Sequence, residues 1–142
     1  MRVVIVSGGF DPIHRGHIDH FEAAKKLGDI LIVGLNSDDW LTRKKGKPFM
    51  PIEERLAVVA SMRMVDSAVA FNDDNDSSID LIKKALVLFD DVLFANGGDR
   101  TQDNIPEIYE FDKDPRVQFA FGVGGSHKQN SSSWILKKWN ST

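Results

Sequence analysis

Apolar positions along this chain follow two periods in alternation. Val3-Val4-Ile5-Val6 and Asp29-Ile30-Leu31-Ile32-Val33-Gly34-Leu35 are short, mostly β-branched runs bounded by turn residues, the pattern of buried strands. Between them Ile18, Phe21, Ala24 and Leu27 recur in steps of three, with Lys25 and Lys26 on the other side. That run stops at Gly28, as an amphipathic helix should. A second helix is expected from Ile52 to about Met62, opened by Pro51 and carrying Glu53 and Glu54 in its first turn. A third strand follows over Val65 to Phe71. The acidic turn Asn72 to Asp76 then leads into a helix with the buried stripe Ile79, Ile82, Leu86 and Phe89, capped by Ser77 or Ser78. Asp91 to Ala95 is the fourth strand and Ile105 to Phe111 a short helix. The alternation of Val117, Phe119 and Phe121 marks a fifth strand from about Arg116 to Phe121, and a last helix runs from Trp134 to about Trp139. Thr42 to Pro48, basic and broken by Gly46 and Pro48, reads as a loop too polar to pack. Strands alternating with helices predict an α/β fold, a doubly wound and mostly parallel sheet of five strands.

The totals narrow the class of protein. At 142 residues the chain has the size of one domain, taken as 1–142, able to bury roughly 70% of its unfolded surface. A hydrophobic content of 42% and a charged content of 27% suit a soluble globular chain. A net charge of −3 provides no basic surface, which argues against nucleic acid as a partner. The lack of cysteine excludes disulfides and thiolate metal sites and fits a reducing compartment. No charged-then-apolar leader opens the chain, and no apolar run approaches the roughly 20 residues that cross a bilayer. The expectation is a cytoplasmic protein with no membrane insertion.

The chemistry concentrates at the first strand-to-helix turn. Gly8 and Gly9 lack a Cβ and let backbone come close to a ligand. The helix that follows aims its unpaired N–H groups and positive dipole end at the same point. His14 and His17, three residues apart at the helix start, can both face that point. Free N–H donors and paired imidazoles suit a phosphate chain; read alone, the histidines are equally ordinary polar caps. His20 extends the spacing to three histidines and invites a zinc reading. Without cysteine, and with His14 ahead of the helix, the alignment is poor and no metal site is expected. His20 reads instead as a solvated or partly packed surface residue.

Gly8-x-Phe10-Asp11-x-x-His14-x-Gly16-His17 resembles, without a gap, the G-x-F-D-x-x-H-x-G-H signature of the cytidylyltransferase-like nucleotidyltransferases, among them glycerol-3-phosphate cytidylyltransferases and the heptose-phosphate adenylyltransferase domain. The dinucleotide and Walker A glycine patterns are absent. The resemblance implies roles further along the chain. A lysine-bearing loop of the family falls on Thr42 to Pro48, making Lys44 and Lys47 candidates for a cationic clamp rather than a solvated linker. Arg55 matches the arginine of the family's P-x-x-E-R segment, as a nucleotide contact or an orienting ion pair. Gly98 and Asp99 match a Gly-Asp pair that recognises nucleotide or acceptor, in the Gly-Gly-Asp form closest to heptose-phosphate adenylyltransferases. Ser131, Ser132 and Ser133 line up with a Ser-Thr-Thr helix start suited to β- and γ-phosphates. The family's Arg-Thr-x-Gly before that start is replaced here by Ser126-His127-Lys128-Gln129, where Lys128 stands in for the missing charge.

The resemblance therefore implies a Rossmann-like domain with strand order 3-2-1-4-5. It implies transfer of CMP or AMP from CTP or ATP to a small phosphorylated alcohol or sugar, with release of pyrophosphate. His14, His17, Lys44 and Lys47 would be catalytic, Mg²⁺ would bind through the nucleotide phosphates, and the protein would be a homodimer. The alternative is a non-catalytic nucleotide-binding module on the same fold, motivated by the altered loop before Ser131.

Overall fold

The computed structural model describes residues 1–98, 105–125 and 132–141. In chain order the elements are β1 (Val3–Gly8), α1 (Arg15–Lys25), β2 (Ile30–Leu35), α2 (Asp38–Lys45), α3 (Ile52–Ala60) and β3 (Ser67–Ala70). They continue with α4 (Ile79–Leu88), β4 (Val92–Ala95), α5 (Pro106–Phe111), β5 (Val117–Ala120) and α6 (Ser132–Asn140). The strands form one sheet in the order β3-β2-β1-β4-β5, and every pairing is parallel. This is the expected topology. Parallel strands need crossovers, and the helices supply them on both faces.

Alternation along the strands sorts the core into two layers. Val4 and Val6 pack with Phe21 and Ala24 of α1 and Val59 of α3. Val3 and Ile5 face the other way, against Leu81, Ile82 and Ala85 of α4 and Phe111 of α5. β1 is fully buried from Val3 to Val6, so the central position predicted from its β-branched run is the one it takes. Ser7, next in the alternation after Val3 and Ile5, belongs to the α4 and α5 side.

The chain departs from its sequence reading at Thr42 to Pro48. Thr42 to Lys45 are helical, the second half of α2. Ser37 caps that helix by accepting the Trp40 N–H at 3.0 Å, Asp38 and Asp39 fill its first turn, and Gly46 ends it at φ +95°. α6 begins at Ser132, two residues before the predicted Trp134, which puts serines in its first turn. At the start of α4, Ser78 is the boundary residue but gives no side-chain cap; Ser77 Oγ accepts the Ile79 N–H at 3.3 Å. Among the described residues, no helix is long and apolar enough to cross a membrane.

Candidate functional site

Switch points in a doubly wound sheet lie where neighbouring crossovers leave in opposite directions, here between β1 and β4 at their carboxyl ends. The turn after β1 is shaped by packing. Phe10 takes a positive φ of 52° and lays its ring over Gly8, where a Cβ would sit 2.8 Å from it. The ring then meets Phe21 and His17 edge to face, at 5.0 and 4.9 Å between centroids. The space beside Gly9 is filled in turn by Leu41, 2.9 Å from a Cβ built there.

The paired imidazoles have a defined protonation. His14 is the N-cap of α1, and its Nδ1 accepts the Gly16 N–H at 3.1 Å. Gly16 is required for this, because a Cβ would come within 2.9 Å of the His14 ring. His17 Nδ1 accepts the His14 N–H at 3.2 Å. A nitrogen that accepts from backbone carries no proton, so each neutral ring carries its proton on Nε2. The rings lie 3.8 Å apart and tilted by 30°. Burial, then the neighbouring His14 and His20, push the His17 pKa down to about 3. The pair is thus a set of neutral N–H donors at a helix N-terminus.

Asp11 is buried and ties this turn to the segment after α2. Its carboxylate accepts the N–H groups of Phe49 and Met50, each at 2.6 Å, and pairs with Lys45 Nζ at 3.1 Å. Lys45 also donates to the Asp11 carbonyl. Lys44 lies one residue earlier on the exposed side of α2, its ammonium 4.7 Å from the Trp40 ring centroid. Lys47 is exposed in the turn that follows.

Arg55 is 1% exposed. Its guanidinium donates to the carbonyls of Met50 (2.9 Å), Gly9 (3.0 Å) and Asn36 (2.7 Å) and to Asp38 Oδ1 (2.7 Å). The side chain joins the turn after β1, the end of β2, the start of α2 and α3. The bond to Asp38 is an ion pair.

The far end of the chain returns to the same turn. Ser132 Oγ donates to the Pro12 carbonyl at 2.7 Å, so the N-terminus of α6 abuts the loop that delivers His14. Ser133 is exposed beside it. The turns after β4 and β5 are held against α1 by His20, whose Nδ1 donates to the Val123 carbonyl at 2.8 Å. Gly97 and Gly124 make room for that ring and its backbone. Gly98 is exposed at φ +64°, a conformation that favours glycine. Asp99, Lys128 and Ser131 lie outside the described residues.

A cavity of about 290 Å³ opens on the α4 and α5 side of the same sheet edge, with Ser7, Asn36, Trp40, Asp76, Ser78 and Glu107 in its wall. Ser7 and Ser78 share a hydroxyl hydrogen bond of 2.7 Å, and Glu107 Oε2 accepts the Ser78 N–H at 3.2 Å. Asp73, also buried, accepts from Asn36 Nδ2 (3.0 Å), Ser37 N (2.8 Å) and Ser37 Oγ (2.7 Å). These bonds outweigh burial and hold its carboxyl below the usual range.

Comparison with known proteins decides the kinship. Residues 5–137 match the model of the family described as cytidylyltransferase-like. The chain belongs to the cytidylyltransferase-like family. Similar chains include the bifunctional protein HldE of Pasteurella multocida, 41% identical over 73% of this chain and 21% of that protein. The HldE protein of Geobacter sulfurreducens is 34% identical over 97% of this chain and 28% of its own length. This chain thus spans under a third of the curated relatives it matches. Among solved structures, a lipopolysaccharide core biosynthesis protein from Thermoplasma volcanium superimposes with a TM-score of 0.67 at 26% identity, covering 85% of this chain and 95% of that one.

Within this cytidylyltransferase-like frame the structure brings Gly8, Gly9, Phe10, Asp11, His14, Gly16, His17, Arg55 and Ser132 around one turn. It leaves Lys44 and Lys47 on the rim. Sequence reasoning passed over Lys45, which joins Asp11, and Glu107, which lines the cavity. A signal for Lys45 existed in the Ser37 cap and the Gly46 stop, which together predict a helix that would carry it. None existed for Glu107, whose partner Ser78 is 29 residues away.

Proposed function

We propose that the protein transfers AMP from ATP to a sugar phosphate, releasing pyrophosphate. The observation that carries the reading is the pair of Nε2–H imidazoles at the N-terminus of α1, with the serine-led tip of α6 bonded to the same loop through Ser132 and Pro12. A triphosphate laid along that surface meets the two imidazole donors and two helix N-termini. Adenylyl rather than cytidylyl transfer is favoured by the Gly97-Gly98-Asp99 form and by the HldE relatives. A sugar acceptor is favoured by likeness to a lipopolysaccharide core biosynthesis protein.

In the reaction an oxygen of the acceptor phosphate attacks the α-phosphorus from the α4 and α5 side, where Ser7 faces. The new O–Pα bond forms as the bond from Pα to the β-bridging oxygen breaks, and pyrophosphate carries the electron pair away. A phosphate dianion is already a nucleophile, so no base is needed and positioning supplies most of the catalysis. His14 and His17 donate from Nε2 to the α-phosphate oxygens and the departing bridge. An arriving anion favours the charged imidazole, so the pKa of His17 rises as the triphosphate binds. Lys44 and Lys47 swing in from the end of α2 to neutralise the acceptor and α-phosphates. Ser132 and Ser133 in the first turn of α6, with Ser131 and Lys128 ahead of them in sequence, anchor the leaving pyrophosphate, and Asp99 contacts nucleotide or acceptor.

Mg²⁺ fits this surface as a passenger of the nucleotide. The Asp11 carboxylate is engaged by Phe49, Met50 and Lys45, and among the described residues no cluster of three or more His, Asp or Glu is arranged to hold a metal. The ion would enter on triphosphate oxygens and offset their charge. A homodimer and a cytoplasmic location, both expectations from the sequence, are read by sedimentation velocity and by cell fractionation.

The test is a pyrophosphate-release screen crossing ATP and CTP with sugar phosphates and phosphorylated alcohols, Mg²⁺ present. Release with ATP and a sugar phosphate is the expected result. Nucleotide binding without release under any acceptor would leave a binding module in place of an enzyme.

A further inference from the structure

The α4 and α5 side of the sheet edge differs in chemistry from the imidazole side. Among the described residues the cavity wall contains no Lys, Arg or His. It offers the hydroxyls of Ser7, Ser77 and Ser78, the amide of Asn36, the indole of Trp40 and the carboxylates of Asp76 and Glu107. The described part of the wall thus offers a phosphate no cation of its own. A neutral, hydroxyl-rich group suits it, since hydroxyls can donate to carboxylates and accept from amide and serine, while a ring's C–H face lies on an indole.

The two carboxylates are not equivalent. Asp76 is exposed and pairs with Arg43 at 3.0 Å. Glu107 is 1% exposed, and its Oε2 is fixed by the N–H of Ser78, whose hydroxyl is bonded in turn to Ser7 on β1. A carboxylate can share its acceptor sites among several donors. Glu107 therefore stands at a set position relative to the end of β1, one residue before Gly8.

The geometry points to Glu107 as the residue that selects a polyhydroxylated acceptor, taking hydrogen bonds from sugar hydroxyls in the cavity while the acceptor's phosphate projects past Ser7 toward the imidazoles. This rests on the nucleotidyl-transfer reading above. It adds the means of choosing between a sugar phosphate and a plain alkyl phosphate. Opposite placement of the two substrates also suits an in-line displacement, with nucleophile and leaving group on opposite sides of phosphorus.

The test compares wild type with Glu107→Gln, using the best sugar phosphate from the release screen and ethyl phosphate, with ATP. Glutamine keeps one acceptor oxygen but removes the charge and turns the other oxygen into a donor, so the sugar-to-ethyl ratio of kcat/KM should fall about 10-fold. The loss should fall on KM for the sugar phosphate rather than on KM for ATP. Ser7→Ala, which removes a wall hydroxyl but no charge, is the second variant and should lower the ratio less; it carries the comparison if Glu107→Gln does not fold. An unchanged ratio in both variants overturns the proposal, and so does a loss confined to KM for ATP, which would mean the cavity holds the nucleotide. No pyrophosphate release by wild type with any acceptor is a different failure, that of the transfer reading, and takes the proposal with it.

Discussion

Replacing Arg55 with methionine keeps most of its volume and removes every one of its side-chain hydrogen bonds. In the wild type that side chain is 1% exposed and satisfies the carbonyls of Gly9, Asn36 and Met50 together with Asp38. The cost is that of acceptors left in a dry interior, about 1 kcal/mol or more apiece for the carbonyls. Asp38 adds less, because its side chain is 37% exposed and water can replace the guanidinium there. The total comes to about 3–5 kcal/mol, the range for losing one member of a buried charged network. At about 3 °C per kcal/mol for a chain of this size, Tm should drop by about 9–15 °C. Arg55→Lys keeps the charge but cannot span acceptors on several elements, and should lose about 2–3 kcal/mol. Urea unfolding followed by circular dichroism reads both values. An Arg55→Met protein within about 1 kcal/mol of wild type would refute the claim that this guanidinium ties the site together.

The remaining expectations are brief. His17→Ala should lower kcat about 10²- to 10³-fold if the imidazole stabilises charge at the α-phosphate, and near-wild-type turnover would remove it from the mechanism. Because the folded His17 pKa lies at about 3, below its unfolded value, its contribution to stability is complete above about pH 6.5 and is lost as pH falls toward 3; His20, also lowered by burial, acts in the same direction. Urea titrations from pH 6.5 to 4.5 should show stability falling by up to ~1.4 kcal/mol per pH unit on account of His17, and His17→Gln should flatten that slope. Asp11→Ala removes the ion-pair partner of Lys45 and leaves the Phe49 and Met50 amides without their acceptor, so it should cost about 3 kcal/mol and open the 45–50 segment to limited proteolysis. Gly97→Ala drives a Cβ to 2.9 Å from the His20 ring and should cost about 1–3 kcal/mol by thermal unfolding.

What the sequence showed and what it hid divide along the range of the interactions. The alternation of strands and helices and the shape of the first turn follow from local periodicity and from contacts three or four residues apart, while the strand order came with the family resemblance. The His14 N–H to His17 Nδ1 bond is one of these, available to any reader of the spacing. Arg55 was ambiguous because an arginine on a helix gives no periodic signal, and its partners sit up to 46 residues away at Gly9. His20 reads as a solvated or partly packed surface residue and is partly packed; what the spacing does not reveal is its partner, Val123, 103 residues away. The difference at Thr42 to Lys45 is of another kind. Charge and the nearby Gly46 and Pro48 favour a loop there, but the Ser37 cap and the acidic first turn hold a helix.

The central claim is that one triphosphate is gripped by the α1 and α6 N-termini together. A crystal structure with a non-hydrolysable ATP analogue and Mg²⁺ tests it most directly. The account predicts α-phosphate oxygens within hydrogen-bonding distance of Nε2 of both His14 and His17, with the terminal phosphates at the start of α6. A triphosphate seated instead in the Ser7 and Glu107 cavity, away from both imidazoles, would contradict it.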